Sequence, residues 1–221
     1  SYQIYQTKKL SWDVNLNATF IKNKILKLHP DLKGELVNGS RVYTEGESMY
    51  RMYLVKYAGV KEETGEALYW AKDASGNAIT TTDWSIASNY KEGSGDLLPT
   101  VYGGFGTSLD AYGFDFSLQC SYQLGGQIYD SGYARLMHGG MASTAGNNWH
   151  KDILKSWNES NKETDVPRVD AQDKYANSQS DRWLTSSDYL AINNITLGYT
   201  LPSNLTNKMM VSKLRLYVAA D

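Results

Sequence analysis

The chain has 221 residues with 22 basic against 24 acidic side chains, so a polycation built for nucleic acid is excluded. No apolar run approaches the roughly 18 residues of a membrane helix, and the single cysteine excludes an internal disulfide. Seventeen Tyr, six Trp and 19 Gly against four Pro favour β structure with many bends.

The opening residues, SYQIYQTKKLSW, lack the apolar core of a signal peptide. Trp12, Val14, Leu16, Ala18 and Phe20 then alternate with Asp13, Asn15, Asn17 and Thr19, a period of two that predicts a strand within 11–26. From about 27 to 99 no continuous pattern persists. Inside that stretch YRMYLVKY, residues 50–57, reads as a strand outside any membrane, because Arg51 shares a face with Tyr53 and Lys56 with Leu54. Asp73–Asp83 has the outline of a calcium loop but lacks its sixth-position Gly and terminal Glu, and reads as a turn.

A strand is predicted over 100–109, where Val101, Phe105 and Leu109 share a face and Gly103, Gly104 and Gly106 thin the strand, as at a bend or a close approach. The next, over 113–125, contains FDFSLQCSYQL: Phe114, Phe116, Leu118, Cys120, Tyr122 and Leu124 alternate with Asp115, Ser117, Gln119, Ser121 and Gln123. Cys120 on that apolar face reads as a small hydrophobe. A second long excursion covers about 126–188, with near-helical spacing at Trp149–Trp157. Strands over 189–201 and 212–220 follow. In the first, Ala191, Ile195, Leu197 and Tyr199 oppose Ile192, Asn194, Thr196 and Gly198. In the second, Leu214, Leu216, Val218 and Ala220 oppose Lys213, Arg215, Tyr217 and Ala219.

Two architectures use such strands. A soluble β-sandwich buries the apolar face against a second sheet, whereas a transmembrane barrel turns it to lipid and lines a wet lumen with the other. Eleven-residue alternation in Phe114–Leu124 matches barrel strands of about 9 to 11 residues better than ordinary strands of about 5 or 6. Connections that alternate long and short also suit an up-and-down barrel. On the barrel reading Phe116, Leu118, Tyr122, Ile195 and Leu197 face lipid. Asp115, Gln119, Asn194 and Thr196 face the lumen, and Trp12 and Tyr199 join an interfacial aromatic girdle.

No catalytic residue, metal ligand or cofactor site is expected. His29, His138 and His150 have no metal or triad spacing, Gly103–Gly106 precedes no helix, and no carboxylate pair stands out for glycoside hydrolysis. The aromatics of the long excursions, above all Trp70, Trp84, Tyr129, Tyr133, Trp149 and Trp157, are candidate ligand or partner contacts. The alternative role for them is to pack the excursions together.

Three blocks, LPTVYGGFGTSLDAYGFDFSLQCSYQLGGQIYD, HKDILKSWNESNKETDVPR and SDRWLTSSDYLAINNITLGYTLP, resemble in order and spacing the closing part of the SusC/RagA family of TonB-linked outer-membrane transporters of Bacteroidota. The upstream TEGESMYRMYLVKYAGVKEETGEALYW is similar to the segment before them. The resemblance implies an all-β fragment of a large antiparallel transmembrane barrel, with 1–221 part of a single barrel domain. The excursions at about 27–99 and 126–188 would be extracellular, and the signal peptide and plug would lie outside the chain. It further implies nutrient uptake with a SusD-like surface lipoprotein, TonB acting through a plug domain not in this chain, and an oligosaccharide or peptide cargo. The rival reading is a soluble β-sandwich that binds glycans.

Overall fold

A computed structural model covers residues 1–221, all of them described except the side chain of Met209. The chain forms two compact units, one from 1–22, 99–125 and 187–221, the other from 23–98 and 126–186.

The first unit is a six-stranded antiparallel sheet: β1 (Tyr2–Gln6), β2 (Leu10–Phe20), β3 (Val101–Ala111), β4 (Phe114–Leu124), β5 (Tyr189–Thr200) and β6 (Arg215–Ala220). Sequential strands are neighbours throughout. Tyr112 and Gly113, both at positive φ (52° and 94°), make the two-residue turn that joins β3 to β4, the geometry that matches strand twist. Thr7–Lys9 and the link from 201 to 214 close the other short connections at the same end of the sheet. The long excursions leave from the opposite end, beyond Phe20, Val101, Leu124 and Tyr189.

Three sequence expectations are corrected. The sheet has six strands in place of five, because Tyr2–Gln6 pairs with β2 although its five residues are too few to establish a face. The strand placed within 11–26 ends at Phe20. In β5 the pairing jumps from Gln119↔Asn194 to Cys120↔Ile192, so Asn193 is an extra, bulged residue. The slip moves Ile192 and Leu190 onto the face of Ile195 and Leu197, and moves Ala191 off it. The bulged Asn193 side chain accepts a hydrogen bond from the Ser121 hydroxyl at 3.0 Å.

The second unit holds a four-stranded, a three-stranded and a two-stranded sheet, so the two excursions fold together rather than remaining patternless loops. Their side chains build two interiors. One gathers Val55, Ala67, Tyr69, Ala71 and Ala87, with Tyr57, Trp84 and Tyr175 packed on it. The other gathers Ala134, Met137, Val166 and Trp183, with Tyr129, Tyr133 and Ile153 against it. The 50–57 segment is two strands, Arg51–Leu54 and Tyr57–Val60. Asp181 pins the break: its N–H donates to the Val55 carbonyl, its carboxylate accepts from the Tyr57 N–H (2.8 Å), and Lys56 pairs with it at 3.0 Å. The helical spacing at 149–157 becomes a 3-10 helix, Lys151–Lys155, with Ile153 packed inward and Leu154 85% exposed. Asp73 accepts from the Ser75 and Asn77 N–H groups and closes the turn between Ala67–Lys72 and Ala78–Thr81.

Tyr57 makes this unit sensitive to high pH. Its hydroxyl donates to the Asp165 carbonyl at 2.8 Å and its ring meets Tyr69 edge-on. Burial pushes its phenol up to about 12 against the opposing charge of Arg182, and burial raises Tyr69 as well. The folded unit therefore binds more protons than the unfolded chain above about pH 10, and stability falls as pH rises from there toward about 12. The loss for Tyr57 is roughly 2 kcal/mol, and it is absent below pH ~10. Proteolytic protection of residues 23–98 and 126–186, measured from pH 8 to 12, should show this slope. Tyr57→Phe should reduce the slope without abolishing it, since Tyr69 remains.

Candidate functional site

The six-stranded sheet has one continuous apolar face. Register aligns Leu16, Phe105, Cys120 and Ile192 in one row, and Trp12, Leu109, Phe116, Leu197 and Val218 in another. Between them runs Val14, Thr107, Leu118, Ile195 and Ala220. Phe116, Leu118, Tyr122, Ile195 and Leu197, selected from sequence, thus share this face. Among the described residues no second sheet packs on it within the unit. Leu16 remains 71% exposed, Ile192 59%, Leu197 55% and Val218 77%. In the second unit, by contrast, Leu54 and Val55 are wholly buried. One chain therefore treats large apolar residues in two ways, as expected when the two units meet different media.

Several polar groups on this face find partners within the sheet. The Trp12 indole N–H donates to Thr107 Oγ1 at 2.9 Å, and that hydroxyl donates to the Asp13 carbonyl at 3.1 Å. The Tyr122 hydroxyl donates to the Asn17 carbonyl at 3.1 Å beside Gly103, where a Cβ would lie 2.1 Å from that carbonyl oxygen and 3.0 Å from the hydroxyl. Toward the short-turn end the rings of Phe114 and Tyr199 lie 4.5 Å apart.

The other face is polar. Asn15, Gly106, Gln119 and Asn194 form one row, and Asp13, Ser108, Ser117 and Thr196 the next. Gly106 makes room for the Gln119 carboxamide, from which a Cβ would lie 2.3 Å. Gly198 does the same for an ion pair in which Arg215 Nε donates to Asp115 Oδ1 at 2.9 Å, reaching from β6 across β5 to β4. Alternation indicated neither this bridge nor the Asn193 bulge, although a glycine inside a strand is the general signal of a close approach.

The contact residues predicted in the excursions lie apart. Trp84 packs on the first interior and donates to the Gln179 carbonyl (2.7 Å). Trp157 donates to the Glu62 carbonyl (3.0 Å) and covers Gly65, where positive φ and a missing Cβ admit the ring. Tyr129 and Tyr133 pack on the second interior, and the Tyr133 hydroxyl donates to Asp152 (3.2 Å), which Lys155 keeps below the ordinary carboxylate range. Trp70 and Trp149 remain about half exposed, Trp149 stacking on His138. Among the described residues no group of three His, Cys, Asp or Glu side chains is placed to hold a metal.

No family model matches the chain. A curated relative, TonB-dependent receptor P3 of Formosa agariphila, is 27% identical over 96% of the chain and 22% of its own length. The solved RagAB peptide transporter superposes with a TM-score of 0.76 at 26% identity, over 98% of the chain and 24% of that structure. The chain shares its fold with part of the barrel of the solved RagAB transporter and is similar along its length to a TonB-dependent receptor. It is accordingly a protein of the outer membrane. The RagAB peptide importer in its open-open state agrees in fold, with a TM-score of 0.75 at 23% identity. The chain spans about a quarter of the length of these relatives. Within it the six strands of the receptor-type sheet remain an open sheet.

The register makes a test that alternation alone would not. Leu118→Arg should destabilise the membrane-inserted protein by about 2 to 4 kcal/mol, the cost of an arginine on the lipid face near mid-membrane, while Gln119→Arg should cost far less. Because of the bulge, Ile192→Arg should behave like Leu118→Arg and Ala191→Arg like Gln119→Arg. Urea titration of the protein folded in lipid vesicles measures all four.

Proposed function

We propose that the chain is part of the wall of a TonB-dependent outer-membrane importer, with both units belonging to a single barrel domain. The observation that carries this reading is the sheet whose uncovered apolar face backs directly onto a polar one. On it, Phe116, Leu118, Tyr122, Ile195 and Leu197 meet lipid, and the Gln119 and Asp115 rows line the lumen. Short turns at one sheet end face the periplasm. The excursions at about 27–99 and 126–188 stand outside the cell, the arrangement barrels of this kind use.

There the folded second unit contributes to cargo handling and to the seat of a SusD-like lipoprotein. Trp70 and Trp149 offer half-exposed rings for either task, and Trp84, Tyr129, Tyr133 and Trp157 hold the unit in shape around them. TonB acts through a plug domain outside this chain. The cargo is an oligosaccharide or a peptide, and the peptide importers among the structural neighbours favour the second. The relatives are receptors and transporters, and the chain is assigned no catalytic residue.

Replacing residues 24–97 and 127–185 of the full-length protein by short Gly-Ser linkers should leave a heat-modifiable, membrane-inserted barrel. Growth on the imported nutrient, or co-purification of the lipoprotein, should be lost. Unchanged growth together with an unchanged complex would leave the second unit no part in import.

A further inference from the structure

The second unit contains a recess of about 630 Å³ between the strands around Arg41 and the strand Gln127–Tyr129. Arg41 opens its strand opposite Met52. Tyr43, two residues on, lines the recess with it, while the intervening Val42 points into the protein and is buried. Tyr129 comes from the facing segment, and Asn38 and Gln127 add carboxamides. Gln127 fits because Gly95, at φ +58°, has no Cβ: one there would lie 2.1 Å from the amide oxygen. Ser40, also in the lining, accepts from the Gln179 amide at 2.8 Å and keeps its own proton to donate.

The lining has no Asp or Glu, and that matters for Arg41. Four of the other five arginines have partners, and the fifth, Arg135, is exposed. Arg51 pairs with Glu47 and Arg168 with Asp170, Arg182 donates to the Ala176 carbonyl, and Arg215 pairs with Asp115. Arg41 is half-buried and, among the described residues, its guanidinium makes no hydrogen bond, ion pair or ring contact. A guanidinium presents five donors in a planar fork that matches a carboxylate bidentately. With no acidic side chain in the lining, the Arg41 fork is left free to receive an anion that enters the recess.

We propose that this recess binds a carboxylate of the cargo, Arg41 taking its two oxygens while Tyr43 and Tyr129 flank the carbon skeleton and the carboxamides and Ser40 orient neighbouring polar groups. The proposal rests on the import reading for its biological setting. An acidic peptide and a uronic-acid oligosaccharide offer the same carboxylate, so the test carries one probe of each.

The experiment uses full-length transporter purified in detergent. The probes are acetyl-Ala-Glu-Ala-amide with its Gln counterpart, and trigalacturonate with its methyl ester, all titrated calorimetrically. At least one acid should bind the unaltered protein tenfold or more tightly than its neutral counterpart, and the pair that does so identifies the source of the carboxylate. Arg41→Gln should erase that preference. Arg41→Lys, which keeps the charge but loses the fork, should retain only part of it, with unchanged proteolytic fragments certifying the fold of each variant. If neither acid is preferred by the unaltered protein, or if the preference survives in Arg41→Gln, the recess is no carboxylate site. Uptake by cells is scored separately: acid binding without import would sink the import reading and leave the recess standing.

Discussion

The hydrogen-bonded ladder through β2, β3 and β4 is the constraint on which the rest of the first unit depends. Eleven consecutive rows pair without a slip from Val101 to Ala111 on both sides of β3. Because side chains alternate along each strand, a fixed register fixes the medium each residue meets, and a shift by one would exchange the faces entirely. Leu118 on one face and Gln119 on the other are therefore a single decision taken by the backbone. The Asn193 bulge follows from the same constraint. β5 carries one residue too many between Ile192 and Asn194 for strict alternation, and extruding it lets two apolar stretches share a face.

The two units follow opposite rules of burial because they solve different problems. In the second unit Trp183, Tyr69 and Leu54 are withdrawn from solvent, and indole and phenol groups find carbonyl partners, Trp183 at Ser178 and Tyr69 at Tyr175. That is the interior of a water-exposed protein. The first unit buries few side chains and leaves Leu16, Phe20, Leu197 and Val218 outward. An exposed apolar area of that extent is foreign to a monomer in water and natural to a barrel wall, where lipid replaces the missing protein layer.

The same division decides what could be read from sequence. Strands β2 and β4 were legible because eleven residues alternate with scarcely an interruption, and which residues of β4 share the apolar face followed. β1 was not, since five residues with Tyr and Gln on both faces carry no contrast. The bulge was invisible because Asn193 and Asn194 are identical in character, so nothing local says which is surplus. The second unit was opaque for a different reason: its strands run three to six residues and are fixed by distant partners, such as Asp181 holding the Val55–Tyr57 break. The Arg41 recess likewise joins residues 38–52 and 97 to 127–129. What distinguishes Arg41 there is the absence of a partner, which only a spatial arrangement reveals.

The strand glycines tie these features together. A glycine inside a strand weakens it and leaves a gap in the side-chain layer, yet Gly103, Gly106 and Gly198 are each covered by a side chain from a neighbouring strand. On the apolar face the space over Gly103 is taken by the Asn17 carbonyl and by the Tyr122 hydroxyl that donates to it. On the polar face the covers are the Gln119 carboxamide over Gly106 and the Asp115–Arg215 pair over Gly198. The chemistry of each cover matches the medium beyond it. An ion pair over Gly103 would require two charges to lose water on the lipid side, whereas over Gly198 it remains hydrated and costs little. The same ion pair fastens β6 to β4 across β5, so the gap that weakens β5 locally is also the path by which three strands are held together.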